Sequence, residues 1–210
     1  MIDPKKEIET VFGCTELPHG LFYEFEAALR FELGGEDVST KRPIKRFIQA
    51  FERADAVAAE LFARSSVWLL SSTFGDASPP KKHLKPFKTI GLSRSVFADF
   101  GAVAQNDADH IEEFGEDLYR HWAGTLLGDP DLIKEALWLA LGSELGIRPA
   151  ANASLYFVDF ENQIVLHPYD DRGMDVIATR REPLSDLYRS RHSWLLEYDM
   201  ARMRTVFEEA

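Results

Sequence analysis

Hydrophobic residues recur along this chain at two spacings, and each spacing predicts a different element. Apolar side chains at three- and four-residue intervals over residues 44–62 predict a long amphipathic helix that begins at Pro43. A second helix is predicted after Asp129, which can cap it, with Pro130 at its first position and Gly146 at its end. Two shorter helices are expected near the C-terminus, one beginning at Pro183 and a last one capped by Asp199.

Alternating or continuously apolar stretches predict the strands. The alternation over 154–160, followed by two apolar stretches around Gly173, predicts a three-stranded antiparallel meander. Three further strands are predicted over 28–33, 66–72 and 118–127. The last of these stretches also fits a helix, because Phe114, Leu118, Trp122 and Leu126 lie at helical spacing.

The run Asp170 to Gly173 predicts the turn of the C-terminal hairpin. Aspartate is favoured at the first position of a type I turn, and glycine at the last, where it tolerates a positive φ. A three-residue loop made of Asp171, Arg172 and Gly173 then places Asp170 opposite Met174.

This register groups polar side chains on one face of the meander. Tyr169 is expected opposite Asp175, with His167 diagonal to that carboxylate, and a turn at 161–162 places Tyr156 opposite His167. Since both faces are rich in apolar residues, both should be covered, and the polar groups would satisfy one another. The alternative is a site in which Asp175 orients the His167 imidazole as a general base.

The candidate functional residues follow from this face and its turn. The rings of Trp194 and Tyr198, on a C-terminal helix, could cover the polar face, although aromatic residues on a helix more often belong to the core. Three aspartates around the turn could hold Mg²⁺, but turn capping and neutralisation by the nearby arginine argue against a metal. No cofactor motif is present. The candidate catalytic residues are His167, Asp175, Tyr169 and Arg172, and the candidate binding residues are Asp170, Asp171, Tyr156 and Trp194.

The net charge and composition indicate which partners and which cellular compartment the protein favours. The 210 residues carry a net charge of -11, which disfavours nucleic acid and anionic membrane and favours a basic protein partner, although solubility alone explains such a charge. A single cysteine, Cys14, permits no internal disulfide, and neither a signal sequence nor a membrane-spanning run is seen, so a cytoplasmic protein is expected.

Two charged segments interrupt the regular pattern. Residues 76–88 are rich in Pro and Lys and favour a solvated loop, with binding of an anion or a partner as the alternative. Residues 107–117 contain no Lys or Arg. Their His110, Glu112 and Glu113 match no metal-ligand spacing, so an exposed acidic segment is expected.

Several C-terminal motifs resemble a known family. The runs ASLYFVDF (153–160), YDDRGMDVIA (169–178), LY (187–188), WL (194–195) and YD (198–199) are similar to the bacterial domain-of-unknown-function family numbered 3885. The RFELG run at 30–34 resembles the early strand of that family. The resemblance implies a strand before the helix at Pro130, which favours a strand over 118–127, and it implies no activity.

These observations predict one domain over 1–210, with an N-terminal helical extension at 1–27 and an α+β core at 28–210. The core would contain a mostly antiparallel sheet of five to six strands, with helices packed on its faces and a C-terminal β-meander followed by helices. The favoured function is a non-enzymatic protein-binding factor of the antitoxin or immunity kind, acting through an acidic surface. The alternative is an enzyme, for example a hydrolase, with its site on the Tyr156, His167, Tyr169 and Asp175 face.

Overall fold

A single antiparallel sheet organises the computed structural model of this protein. Across the described residues, 3–35, 38–105, 111 and 118–208, seven strands pair in the order β1-β7-β6-β5-β2-β4-β3. The predicted α+β class is therefore confirmed, with more strands than the five to six expected. The strands are β1 (Ala28–Glu32), β2 (Val67–Gly75), β3 (Ala98–Ala104), β4 (Tyr119–Leu127), β5 (Ser154–Asp159), β6 (Ile164–Pro168) and β7 (Gly173–Ala178).

The additional strand is β3, at the edge of the sheet. It pairs only with β4 within the described residues, and its register shifts between Asp99 and Gly101, where Gly101 has a φ of 86°. Its side chains are exposed or half-buried along the whole strand. A strand that buries neither face does not need to alternate hydrophobic and polar residues. The sequence pattern therefore does not predict β3.

The helices predicted from Pro43 and Pro130 begin at those residues, and the one predicted from Pro183 begins one residue earlier, at Glu182. The predicted helix ends and caps are not all correct. Asp129 caps its helix by accepting a hydrogen bond from the Asp131 N–H at 2.9 Å. This helix ends at Leu141, earlier than the predicted end at Gly146, and residues 142–146 form turns instead. The predicted cap by Asp199 is wrong, since that carboxylate contacts other residues instead. The helices are α1 (Pro4–Glu7), continued by a π-helix (Ile8–Phe12), α2 (Leu21–Glu24), α3 (Pro43–Phe62), α4 (Pro130–Leu141), α5 (Glu182–Ser190) and α6 (Met200–Phe207).

The core draws on both ends of the chain. The helices α3 and α4 pack against each other, with the Trp138 ring edge-on to Phe47 at 4.6 Å. From the N-terminal segment, Leu17, Leu21 and Phe22 are fully buried in the same apolar cluster as the sheet. At the other end, Leu195 bridges to Phe31 of β1.

The two charged segments differ in what the structure describes. Residues 76–88 are not an unstructured loop throughout, because turns lead into a 3-10 helix at Lys85–Ile90. The acidic segment 107–117, with His110, Glu112 and Glu113, lies outside the described residues apart from Ile111. Among the helices that are described, none combines the length and the apolar composition needed to cross a membrane.

Candidate functional site

The hairpin around Gly173 forms, but its register differs from the predicted one by two residues. Pro168, rather than Asp170, lies opposite Met174, and the loop is correspondingly longer. Because side chains alternate with a period of two, this shift leaves each residue on its predicted face. The predicted pairing of Phe157 with Leu166 on the neighbouring strands is confirmed.

Position 173 requires glycine because there is no room for a side chain, not because the backbone is left-handed. A Cβ at this position would lie 2.0 Å from the Tyr169 hydroxyl and 3.0 Å from the Phe31 carbonyl oxygen. Its φ does not lie in the positive region that the predicted three-residue loop required. The Tyr169 ring therefore occupies the volume that any larger residue at 173 would fill.

The two loop aspartates bind arginines of the same protein. Asp170 accepts hydrogen bonds from the Arg172 backbone N–H at 2.7 Å and from its Nε at 2.8 Å, which is the predicted turn-capping role. Asp171 forms an ion pair with Arg46 of α3, whose Nη1 also donates to the carbonyl oxygens of Gly35 and Val38, both at 2.8 Å. The loop is thereby fastened to α3.

Asp175 is completely buried and is held by β1 and α2. Arg30 donates from Nε to Oδ1 at 2.8 Å and from Nη2 to Oδ2 at 3.0 Å, and the Phe22 backbone N–H donates to Oδ2 at 3.0 Å. Burial disfavours the charge on Arg30, but the hydrogen bond and the charge of Asp175 outweigh it and raise the pKa of Arg30. Arg30 also reaches Asp199 at 3.4 Å.

His167 does not form the predicted pair with Asp175. Its Nδ1 lies 2.8 Å from the Leu155 carbonyl oxygen, and because a carbonyl only accepts, Nδ1 carries the proton. Its buried Nε2 has no hydrogen-bond partner within the described part of the chain. Burial lowers the pKa of His167 to about 3, although the Leu155 hydrogen bond opposes this shift. His167 is therefore a neutral residue of the interior, stacked on Tyr156 with ring centroids 4.0 Å apart.

Arg120, which is not among the candidate residues predicted from the sequence, makes three side-chain hydrogen bonds on this face. It donates from Nε to the Ser72 hydroxyl at 2.9 Å, from Nη1 to the Leu17 carbonyl at 2.7 Å and from Nη2 to the Tyr156 hydroxyl at 2.5 Å. Burial raises the pKa of Tyr156 to about 12 despite the opposing charge of Arg120. The sequence feature that points to Arg120 is its position two residues before Trp122, which places a charged side chain on an apolar face of β4.

The N-terminal segment, not Trp194, covers the polar face. His19 packs edge-on against His167 with centroids 5.4 Å apart, and Pro18 accepts a hydrogen bond from the Tyr156 hydroxyl at 3.3 Å. The Trp194 ring instead contacts the guanidinium groups of Arg53 and Arg191, at 5.6 and 4.8 Å. Trp194 therefore packs against the core, which is the alternative expected of a helix aromatic, and does not cover the polar face.

A polar cleft of about 290 Å³ opens at the end of the sheet beside this face. Tyr169 is the one residue of the predicted catalytic set that lines it, and burial, followed by the negative charge of Asp175, raises the pKa of this tyrosine. No group of three or more metal-ligating side chains occurs among the residues whose positions are described. The cleft is otherwise lined mainly by the polar residues Ser72, Thr73, Ser143, Glu144, Asn152 and Ser154 and by Phe74.

Together these features define an α+β protein in which the polar groups around one hairpin are engaged mainly with one another. The model of the family described as Domain of unknown function (DUF3885) matches residues 5–199, so the chain belongs to that family, as the C-terminal motifs suggested. No curated protein and no solved structure matches the chain.

Proposed function

We propose that this protein is a non-enzymatic protein-binding factor of the antitoxin or immunity kind. The observation that carries the proposal is an exposed apolar stripe on the first turns of α3. Ile44 is 66% exposed and Ile48 is 48% exposed, and the two residues lie one helical turn apart on the same side. Large aliphatic side chains this exposed at neighbouring positions are typical of a surface that a partner protein covers.

The stripe continues into an apolar groove between α3 and α4. Phe51 follows Ile48 on the same side of α3 and lines a groove of about 390 Å³ together with Trp138, Ile90 and Pro149. Aromatic residues that line a groove supply much of the binding energy in protein interfaces. The stripe and groove together would receive an apolar side chain of the partner.

The charges of the chain favour a basic partner over a catalytic role. A net charge of -11 attracts cationic proteins at long range and repels nucleic acid. The carboxylate of the candidate catalytic residue Asp175 and those of the candidate binding residues Asp170 and Asp171 are each paired with an arginine. This pairing supports a structural role for the hairpin and gives the hydrolase alternative less support.

The proposal is tested by affinity capture from the native host with three baits. These are the wild-type protein, the double variant Ile44→Asp/Ile48→Asp, and the control Tyr198→Asp, which changes a side chain that is 87% exposed elsewhere. We expect a basic protein, such as the product of a neighbouring toxin gene, to bind the wild type and the control. With purified components, the stripe variant should bind it at least roughly 100-fold more weakly.

Equal binding of that partner by the stripe variant would contradict the proposed surface. A hydrolytic activity of the purified protein that disappears in His167→Gln while the fold remains intact would instead support the enzyme alternative.

A further inference from the structure

We propose that this protein has a second binding site, on a basic surface that takes a compact phosphate-bearing anion with several adjacent phosphate groups. The surface, called here the lysine surface, is formed by Lys81, Lys82, Lys85, Lys88 and Arg94. Residues 77–98 contain these five cations and no Asp or Glu, although the whole chain has a net charge of -11. The cations are therefore concentrated in one segment of an acidic molecule.

The lysine surface is fixed to the core. Leu84 is 4% exposed and Phe87 is fully buried, and the Phe87 ring lies 5.0 Å from the ring of the buried Phe97. The backbone N–H of Leu92 donates to the Phe87 carbonyl at 3.0 Å and closes the segment after its 3-10 helix. Apolar anchors thus alternate with the cations, and this arrangement differs from that of a solvated loop.

A tight turn sets the relative positions of the lysines. Lys82 has a φ of 75°, a left-handed conformation that is unusual for a residue other than glycine. The turn is held by hydrogen bonds from the Lys85 N–H to the Lys82 carbonyl at 2.9 Å and between His83 Nδ1 and the Pro80 carbonyl at 2.8 Å. These hydrogen bonds hold the uncommon backbone conformation and so keep the lysines on either side of it in fixed relative positions.

The cations line a shared concavity of about 430 Å³, whose remaining walls are Pro79, Pro80, His83 and Leu84. None of the ion pairs formed between described side chains uses these five cations. Arg94 donates from Nη1 to the Phe97 carbonyl at 3.0 Å, which restrains its guanidinium at the rim. A cavity of this size suits a small molecule, and several cations around it would stabilise clustered negative charge.

The charge distribution favours a compact anion over a nucleic acid. A long polyanion that entered this concavity would extend over a surface that is otherwise strongly acidic, and each added phosphate would be repelled. Adjacent phosphates in a short chain place their charge within reach of several ammonium groups at once. An inorganic oligophosphate and a nucleoside triphosphate share this chemistry.

The test is isothermal titration calorimetry of the full chain with inorganic tripolyphosphate and, in a separate arm, with ATP. We expect saturable binding of tripolyphosphate that weakens when salt is raised from about 50 mM to about 500 mM. The variant Lys81→Ala/Lys85→Ala should bind at least about tenfold more weakly. The matched control Lys45→Ala, an exposed lysine on α3, should bind as the wild type does.

The ATP arm identifies the source of the phosphates. Tighter binding of ATP than of tripolyphosphate supports a nucleotide ligand, and the reverse order supports an inorganic oligophosphate. The proposal is overturned if neither compound binds saturably or if the double variant binds both as the wild type does. Because the substituted lysines are exposed, circular dichroism should show an unchanged fold in every variant.

Discussion

Arg30 and Asp175 lie 145 positions apart in the sequence and form a two-point ion pair across the strands β1 and β7, where they occupy directly opposite positions. The carboxylate is fully buried, and the arginine side chain is 12% exposed. β7, the second strand of the hairpin around Gly173, is therefore held to β1 by side-chain as well as backbone contacts.

Removing the charge of Asp175 should strongly destabilise the fold. In Asp175→Asn the partly buried guanidinium of Arg30 loses its main counter-ion and keeps only the longer contact with Asp199, and breaking a buried pair costs up to about 3–5 kcal/mol. Urea unfolding followed by circular dichroism measures the loss. The control Asp186→Asn breaks the exposed pair with Arg189 and should change the free energy of unfolding by less than about 1 kcal/mol. Similar effects of the two substitutions would refute the structural role of Asp175.

Acid should destabilise the protein through His167. Its pKa is about 3 in the folded protein and near 6.5 when unfolded, so the unfolded chain binds the proton more readily. The stabilisation that the neutral His167 contributes is fully present above pH 6.5 and is lost as the pH falls towards 3. Between neutral pH and pH 5, this one group should lower the free energy of unfolding by roughly 2 kcal/mol.

The variant His167→Phe isolates this contribution. Whatever its stability at neutral pH, its free energy of unfolding should fall less steeply with acid than that of the wild type. The exposed His192 provides the control, since His192→Gln should leave the slope unchanged. Parallel pH profiles of the wild type and His167→Phe would show that the residue is not held neutral by burial.

Gly173→Ala should destabilise the hairpin by forcing Tyr169 to move. The new methyl group would overlap the tyrosine hydroxyl and press on the Phe31 carbonyl, and overpacking of this kind costs roughly 1–3 kcal/mol. Thermal unfolding of Gly173→Ala, Tyr169→Ala and the double variant measures the coupling, and the double variant should be less destabilised than the sum of the two. Gly128→Ala, with nothing within 4 Å of the added carbon, should be nearly neutral. A double variant whose loss of stability equals the sum of the two single losses would contradict the predicted contact between residues 169 and 173.

Arg46→Lys should destabilise the protein although the charge is conserved. A lysine can pair with Asp171, but it lacks the fork that also reaches the Gly35 and Val38 carbonyls. Leaving buried acceptors unsatisfied should cost about 1–3 kcal/mol, measured by urea unfolding. The exposed pair offers the matched change Arg189→Lys, which we expect to have no measurable effect. A fully stable Arg46→Lys would mean that charge alone fastens the loop.

The sequence contained the local features of the fold. The 3.6-residue period of α3, the proline and cap of α4 and the two-residue alternation of the meander were sufficient to place these elements and their faces. The sequence pattern predicts a hairpin register that differs by two residues from the observed one, because an Asp-x-x-Gly run is typical of a turn with a positive-φ glycine. The actual requirement at Gly173 is the space taken by Tyr169, and such a steric constraint arises only once the chain has folded.

The long-range contacts could not be read from the sequence. Phe22 and Asp175 are 153 positions apart, and no pattern near either residue indicates that a backbone N–H of α2 meets that carboxylate. For the same reason, nothing near Trp194 in the sequence indicates that residues 16–22, and not this ring, cover the polar face. Arg120 was visible as a cation on an apolar strand face, but its three acceptors come from three separate parts of the chain.

The pairing of β1 with β7 has a consequence for biosynthesis. β1 is translated well before β7, because Arg30 precedes its partner Asp175 by 145 positions. The apolar residues Leu17, Leu21 and Phe22, which are buried in the folded protein, are therefore made before β7, the strand that the helix α2 contacts. Until β7 has been made, exposed apolar surface of this kind favours binding by chaperones.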